Sequence, residues 1–354
     1  MRNAVLFIII LLLTVSAHLK AAEPEIAIQS GIFLEKSKQA DLNDFALPTA
    51  KKGKSLVFVG DVMLARNVES LMNKNGYSYP YSFLPQLSSS TLLIGNFEAS
   101  IPQKHIHTPD FTYSFSVAKE NISALHTYGF SLLNVANNHS FDFATSGLEH
   151  TISTIQSNDM MTFGHPNIVS TSTSVKKVYL DDISIAIIGV NLVNIPYSLS
   201  DITAVIQAVA KDTNVQLVYI HWGDEYKIYH SKEQERLAHT MVEAGADIII
   251  GHHPHVVQDI EKYKQGVIFY SLGNFIFDQY FSKRVQEGLL LKMTRKSKGI
   301  AVNLHGVTSV QTPSAPRYMS KNENKQFLRQ IAQGSSYKLK EEISLGELFV
   351  PTGN

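Results

Sequence analysis

The chain has 354 residues, a formal net charge of zero and no cysteine. That length can bury one large core or two modest ones, and the balanced charge argues against the basic face that a nucleic-acid partner requires. The lack of cysteine excludes disulfides, thiolate zinc sites, cysteine nucleophiles and lipid attachment through an N-terminal cysteine.

In chain order, MRNAVLFIIILLLTVSA sets Arg2 before an apolar run, Ala4 to Val15, and then small residues. This is the layout of a secretory signal peptide, with Val15-Ser16-Ala17 or Ala21-Ala22 as cleavage positions. The alternative is an uncleaved signal anchor, although the run is short beside the about 20 apolar residues of a transmembrane helix. Residues 1–22 are therefore expected to direct the rest of the chain out of the cytoplasm, to a periplasmic or extracytoplasmic location, membrane-anchored only if the segment is retained. No later segment is long and apolar enough to span a bilayer. Residues 23–54 lack strong periodicity, end in the basic KKGK and read as a spacer with a short helix near Glu35.

The core pattern begins at Ser55. SLVFVGD, TLLIGNFE, SLLNVANNH, SIAIIGVN, VQLVYIHWGD, ADIIIGHHPH and VIFYSLGNF are short runs, apolar on both faces, each closing in polar residues. Such runs suit strands of a sheet covered on both sides. Helical patterns lie between them. SKEQERLAHTMVEAG has Ser231 and Gln234 at capping-box spacing with Gly245 at its end. Leu148, Ile152 and Ile155 form a second helical stripe, and KENISALHTYG is a third candidate. The alternation argues a layered α/β domain. After Gly288, GLLLKMTR and the runs from Ala301 to Val310 read as consecutive antiparallel strands, and QFLRQIAQ as a closing helix. No boundary divides residues 55–310, and residues 311–354 read as an extension of the same domain. GNF occurs at 95–97 and again at 273–275, too short to count as a repeat.

The polar residues gather where these runs end: Asp61, then Asn96 and Glu98, then Asn137, Asn138 and His139, then His221, then His252, His253 and His255, then Asn274. In open α/β sheets ligands bind beyond the carboxyl ends of the strands. Taken singly, each residue has an ordinary reading as a turn, a cap or a hydrogen-bonded surface group. Taken together, carboxylates, amides and imidazoles at one edge suit a divalent ion such as zinc, manganese or iron. The glycines just before these residues are expected to let the backbone turn sharply towards a bound group.

The set GDVMLAR, GNFE, NVANNHSFD, HWGDEY, GHHPHVVQDIE and YSLGNFIFD resembles the CapA family of capsule and poly-γ-glutamate biosynthesis proteins, in order over about residues 55 to 290. Members look like distant relatives of the calcineurin-like metallophosphoesterases. The resemblance implies an α/β fold, a layered metallophosphoesterase-like β-sandwich flanked by helices, with one or two metal ions at the strand ends. Carried over by motif, Asp61 matches the opening metal-binding aspartate. Asn138 and His139 match the pair in which Asn ligates and His stands near the leaving group. His221 matches the lone metal histidine, and His252 and His255 best match the final pair, with His253 facing solvent or supporting the ligands from behind. Two positions depart from the pattern. Met63 stands where the phosphoesterases carry a histidine, and a thioether is a poor ligand for a hard ion. Asn96 stands where they carry a bridging aspartate, with Glu98 two residues on as a substitute.

The expected metal set is thus Asp61, Asn96, Glu98, Asn138, His221, His252 and His255. His139 is the expected general acid, and Arg66 is expected to orient an anionic group or else to lie on a helix surface. Trp222 and Tyr226 either wall the pocket or pack, with packing favoured for Trp222. Two functions follow. One is a cell-envelope metal-dependent hydrolase or transferase in capsule or poly-γ-glutamate synthesis or export, acting on an anionic polymer or phosphoester. The other is a non-catalytic protein that binds the anionic polymer or an export partner on a degenerate site. A structural role for the histidines, with no ion, ranks third.

Overall fold

The computed structural model describes residues 52–109 and 112–352. The signal segment, the helix near Glu35 and nearly all of the spacer lie outside the described residues. In chain order the strands are β1 (Lys52–Gly53), β2 (Ser55–Val62), β3 (Thr91–Phe97), β4 (Phe130–Asn134), β5 (Met161–Phe163), β6 (Val175–Leu180), β7 (Ile183–Asn191) and β8 (Val215–His221). They continue with β9 (Ile248–His252), β10 (Ile260–Tyr263), β11 (Gly266–Phe269), β12 (Asn274–Ile276), β13 (Glu287–Lys296), β14 (Gly299–Thr308), β15 (Arg317–Tyr318) and β16 (Glu347–Pro351). The helices are α1 (Arg66–Asn75), α2 (Ile122–Tyr128), α3 (Ala144–Ser157), α4 (Leu199–Val209), α5 (Lys232–Glu243), α6 (Lys321–Gly334) and α7 (Lys340–Leu345).

The strands form two sheets among the described residues. One runs β1-β6-β7-β8-β9-β11-β10; the other runs β15-β14-β13-β2-β3-β4-β5, with β12 beside β2 and β16 beside β14. The centre of each sheet is parallel: β7, β8, β9 and β11 in the first, β12, β2, β3, β4 and β5 in the second. Their apolar runs show why. Successive side chains of a strand point to opposite faces. In β2, Leu56 and Phe58 enter a core shared with Ile185, Leu217 and Ile250 of the other sheet, while Val57 and Val59 pack with Val68 and Met72 of α1 and Leu125 of α2. In β8, Leu217 and Tyr219 face the shared core, while Val218 and Ile220 meet Ile206 of α4 and Leu237 of α5. The product is the expected layered sandwich, helices outside and two sheets face to face within.

The helices expected within the described residues stand. α5 begins in a complete capping box, with the Gln234 N–H donating to Ser231 Oγ and the Gln234 side chain accepting from the Ser231 N–H. α3 buries Leu148 and Ile155. The expected antiparallel pair is β13 with β14. Helix α4 is an addition, although Ile202, Val205, Ile206 and Val209 line one face of it. Residues 311–354 supply β15, α6, α7 and β16, and β15 and β16 pair with β14.

One expected strand is two. VIFYSLGNF runs as β11 in the first sheet, turns at Gly273 with φ 67°, and continues as β12 in the second. A left-handed φ costs glycine little, so the chain can cross the seam between the sheets there. The crossing has a consequence for GNF. β3 and β12 both run parallel to β2, with Asn96 and Asn274 each in register with Asp61. The two copies of the tripeptide flank one carboxylate.

Candidate metal centre

The polar cluster stands at the carboxyl ends of β2, β3, β4, β8 and β9, beside the first residue of β12, and straddles the seam. The second sheet contributes Asp61 from β2, Asn96 and Glu98 at the end of β3, Asn137 to His139 after β4 and Asn274 from β12. The first contributes His221 from β8 and His252 from β9, with His253 and His255 on the following loop. Gly60 and Gly251 precede Asp61 and His252 inside their strands, and neither has a positive φ. Their role differs from the expected turn: a Cβ on Gly60 would strike the Gly273 carbonyl, and one on Gly251 the Tyr270 carbonyl. Glycine here permits close approach of the neighbouring backbone.

The amides are fixed by their partners. Asn96 Oδ1 accepts from Asn134 Nδ2 at 2.9 Å and Asn137 Nδ2 at 3.3 Å. Its Nδ2 therefore faces inward, donating to Asp61 Oδ1 at 2.8 Å and His221 Nδ1 at 3.1 Å. In this orientation Asn96 offers the centre a donor and no ligand oxygen. The other ring nitrogen of His221, Nε2, lies 2.8 Å from Asn138 Oδ1. Asn274 Nδ2 donates to Gln279 Oε1 and the Val285 carbonyl, which leaves its Oδ1 to accept from His255 Nδ1 at 3.0 Å. His255 Nε2 then carries a lone pair, 3.6 Å from Glu98 Oε1.

Two acceptors set face to face are what a cation resolves. Both Glu98 oxygens, both His252 ring nitrogens and His253 Nδ1 are buried without a hydrogen-bond partner. Buried polar groups of this kind are normally satisfied. Three overlapping groups bring ligand atoms within 4.8 Å of one another: Glu98 with His221 and His253, Asp61 with Glu98 and His255, and Glu225 with His253 and His255.

Burial opposes charge on Asp61, but the imidazoles of His252 and His255 outweigh it and hold the carboxyl well below its ordinary range. Burial, and then the charges of Asp61, Glu225 and Asp142, push Glu98 well above its range. Burial and the neighbouring His253 hold His221 well below the usual histidine value; burial and then His255 take His253 to about 3. Both imidazoles are thus neutral, the form that binds a metal. The donor set, mixed oxygen and nitrogen, suits a divalent transition ion.

His139 stands at the edge of this cluster. Its Nδ1 pairs with Asp142 Oδ2 at 3.0 Å, and its Nε2 lies 3.8 Å from Glu98 Oε1. Its ring stacks on Phe115 with centroids 3.9 Å apart. The Phe115 N–H donates to the same Asp142 oxygen at 2.6 Å. Arg66 also lies over Phe115, 4.5 Å from its centroid, and its fork is engaged bidentately by Asp278. Arg66 is therefore neither on a helix surface nor free to clamp an anion. The Met63 sulfur accepts from the Ala65 N–H at 3.0 Å and so shapes the entry to α1. Trp222 is buried and donates Nε1–H to the Tyr270 carbonyl, a packing role. Tyr226 is exposed, its ring 6.1 Å from His255.

The structure brings Asp61, Glu98, His221 and His255 together as the sequence suggests. It exchanges the roles of two neighbours: His253 joins two ligand groups, while His252 lies behind Asp61, its Nδ1 3.3 Å from Oδ1, against the Tyr219 ring. Glu225, Asp142, Asn134 and the anchoring role of Asn274 are additions. HWGDEY and NVANNHSFD contain two of these carboxylates within a few residues of a histidine, the one signal that pointed to them.

The family described as "Bacterial capsule synthesis protein PGA_cap" matches residues 55–279. The chain is 32% identical over 303 residues to the Capsule biosynthesis protein CapA of Bacillus anthracis, covering 80% of this chain and 74% of that one. It is 31% identical over 314 residues to the PGA biosynthesis protein CapA of Bacillus subtilis (strain 168), covering 81% and 80%. Among solved structures, a 5'-nucleotidase from Candida albicans SC5314 aligns with a TM-score of 0.42 at 9% identity, over 85% of this chain and 59% of that one. The family match over residues 55–279 and the two CapA relatives together show that this chain belongs to the bacterial capsule synthesis protein family PGA_cap.

Proposed function

We propose that this protein is a metal-dependent hydrolase or transferase of the cell envelope that acts on an anionic polymer or phosphoester during capsule or poly-γ-glutamate synthesis or export. The observation that carries the reading is the set of orphaned, buried ligand atoms on Glu98 and His253. Asp61, Glu98, His221, His253 and His255 are the residues that would hold the ion. A divalent ion bound there supplies Lewis-acid polarisation of a substrate oxygen. The chain's own residues supply the rest. Asp142 fixes the His139 tautomer through Nδ1, so Nε2 is the atom that hands a proton to a departing group. Phe115, braced by Arg66, holds the ring in that orientation. Capsule synthesis or export proteins are the expected partners. An exported location is supported by the apolar run from Ala4 to Val15.

The test uses protein lacking residues 1–22 and any affinity tag rich in histidine. Mass spectrometry should find near-stoichiometric zinc, manganese or iron, lost in His221→Ala and His255→Ala. His139→Ala should keep its metal and fold and lose at least a hundredfold in turnover of phosphoester or poly-γ-glutamate substrates. No metal even after supplementation, or a fully active His139→Ala protein, sinks the reading. A second reading, polymer binding without turnover, is favoured by the inward-facing Asn96 amide. Metal-loaded protein that retains the polymer without altering it would select that one.

A further inference from the structure

We propose that Glu69, His105 and Ser116 are positioning residues for His139, acting through Phe115. The inference rests on the reading of His139 above and adds the residues that hold it in place. Phe115 governs both members of the His139–Asp142 pair: its ring stacks on the imidazole with centroids 3.9 Å apart, and its N–H donates to Asp142 Oδ2. What fixes Phe115 therefore fixes the proton carrier. Arg66 lies over its ring, and the Phe277 ring meets it edge-on at 6.0 Å. Its backbone is set by other partners. The Phe115 carbonyl accepts from the Ser100 N–H, and the next residue, Ser116, donates its N–H to Thr108 Oγ1 at 2.9 Å. Ser116 Oγ is hydrogen-bonded to His105 Nδ1 at 2.8 Å, and His105 Nε2 stands 2.7 Å from Glu69 Oε1.

This series of contacts starts on α1. Arg66 and Glu69 stand at i and i+3 and share a face of that helix. Helix α1 thus reaches Phe115 twice, directly through Arg66 and from Glu69 through His105 and Ser116. Glu69 is 4% exposed, and its Oε2 has no hydrogen-bond partner. His107 Nε2 lies 3.9 Å from that oxygen and is bonded instead to Ser70 Oγ at 3.0 Å. A buried pair with an oxygen left over is a poor stabiliser, since apolar residues of the same volume often do as well or better. What it supplies is direction. An imidazole that meets Glu69 with one nitrogen and Ser116 with the other has one ring orientation, and that orientation fixes the backbone at Ser116 and so at Phe115. Small displacements matter at the far end, where misplacing a reacting group by about 1 Å can cost about a hundredfold in rate.

The experiment uses zinc-supplemented protein with isotope-labelled histidine rings, read by NMR, and two probes, phenyl phosphate and p-nitrophenyl phosphate. The ring protons of His139, assigned by their loss in His139→Ala, should be shifted upfield by the Phe115 face in wild type. Ser116→Ala cuts the link without leaving a buried charge and should move them downfield. His105→Ala should do the same. Glu69→Gln keeps the oxygen that faces His105 and should leave them near the wild-type position. Phenol leaves poorly without a proton, whereas p-nitrophenolate leaves readily. Ser116→Ala should therefore lose about tenfold in kcat on phenyl phosphate, with KM unchanged, and only about twofold on p-nitrophenyl phosphate. Resonances of His139 that stay in place in both Ser116→Ala and His105→Ala overturn the proposal. So does an equal loss on the two esters, which would mean general damage and not a displaced acid. Wild type inert toward both esters counts against the reading of His139 as an acid, and the resonances then still decide whether these residues place its ring.

Discussion

At the scale of single residues, the polar groups outside the centre follow the same physics as those within it. His230 donates through Nδ1 to Asp259 Oδ2 at 2.7 Å and stacks on Tyr270 at 3.9 Å. Burial alone would lower its pKa, but the hydrogen bond and charge of Asp259, with the charges of Glu261 and Glu235, outweigh burial and raise it above 6.5. A raised histidine stabilises the fold in full below its unfolded value near 6.5, and that contribution is lost as pH rises through the folded value. Thermal melts of wild type should therefore contain a component that declines above about pH 6.5, and His230→Asn should remove that component. An unchanged pH profile in the variant would refute the assignment. Residue types at strand ends were legible in the sequence, because the runs leading to them are short and apolar. Orientation was not. Nothing in GHHPH tells which imidazole turns into the polar cluster, since that depends on the left-handed turns at His253 and His255. Nor does GNFE tell that Asn96 presents nitrogen, which Asn134 and Asn137 decide from another strand.

At the scale of elements, periodicity carried most of the pattern. The capping box of α5 was readable from four residues, and Ser231→Ala should cost about 1 kcal/mol in urea denaturation. Two other effects needed the fold. Gly251→Ala drives a Cβ into the Tyr270 carbonyl on the strand alongside. It should lower the melting temperature and release the ion together, because β9 leads directly to His253 and His255. A well-folded, metal-loaded Gly251→Ala protein would contradict this. Arg66 and Asp278 join the start of α1 to the segment after β12, 212 positions apart in the chain. Both side chains are nearly buried. Arg66→Ala removes the cation from a buried carboxylate and should destabilise by about 3–5 kcal/mol. Arg66→Lys should recover only part, since it restores charge without the planar fork. No such pairing was visible in GDVMLAR, where the arginine looked free to meet a substrate.

At the scale of the molecule, the centre is a clasp between two sheets. Asp61, Glu98 and His139 belong to one, His221, His253 and His255 to the other, and a shared apolar core lies beneath them. An ion held by both sheets binds the folded chain and not its unfolded ensemble. Its contribution at a hundredfold excess over Kd is about 2.7 kcal/mol. Zinc or manganese should raise the temperature of one cooperative transition, and a chelator should lower it. A transition indifferent to both would mean that the sheets are not clasped by an ion. Among the described residues no helix is long and apolar enough to cross a membrane.

The sequence by itself determined the layered α/β architecture, because runs apolar on both faces must be covered on both sides. It also determined that carboxylates, amides and imidazoles collect at one edge, because parallel strands deliver their carboxyl ends together. Only the tertiary structure decided which atoms meet there. The crossing at Gly273 sets a second GNF beside Asp61, the amide network turns Asn96 inward, and the turn after β9 exchanges His252 for His253. Each depends on contacts between segments far apart in the chain, and periodicity, being a local property, does not encode them.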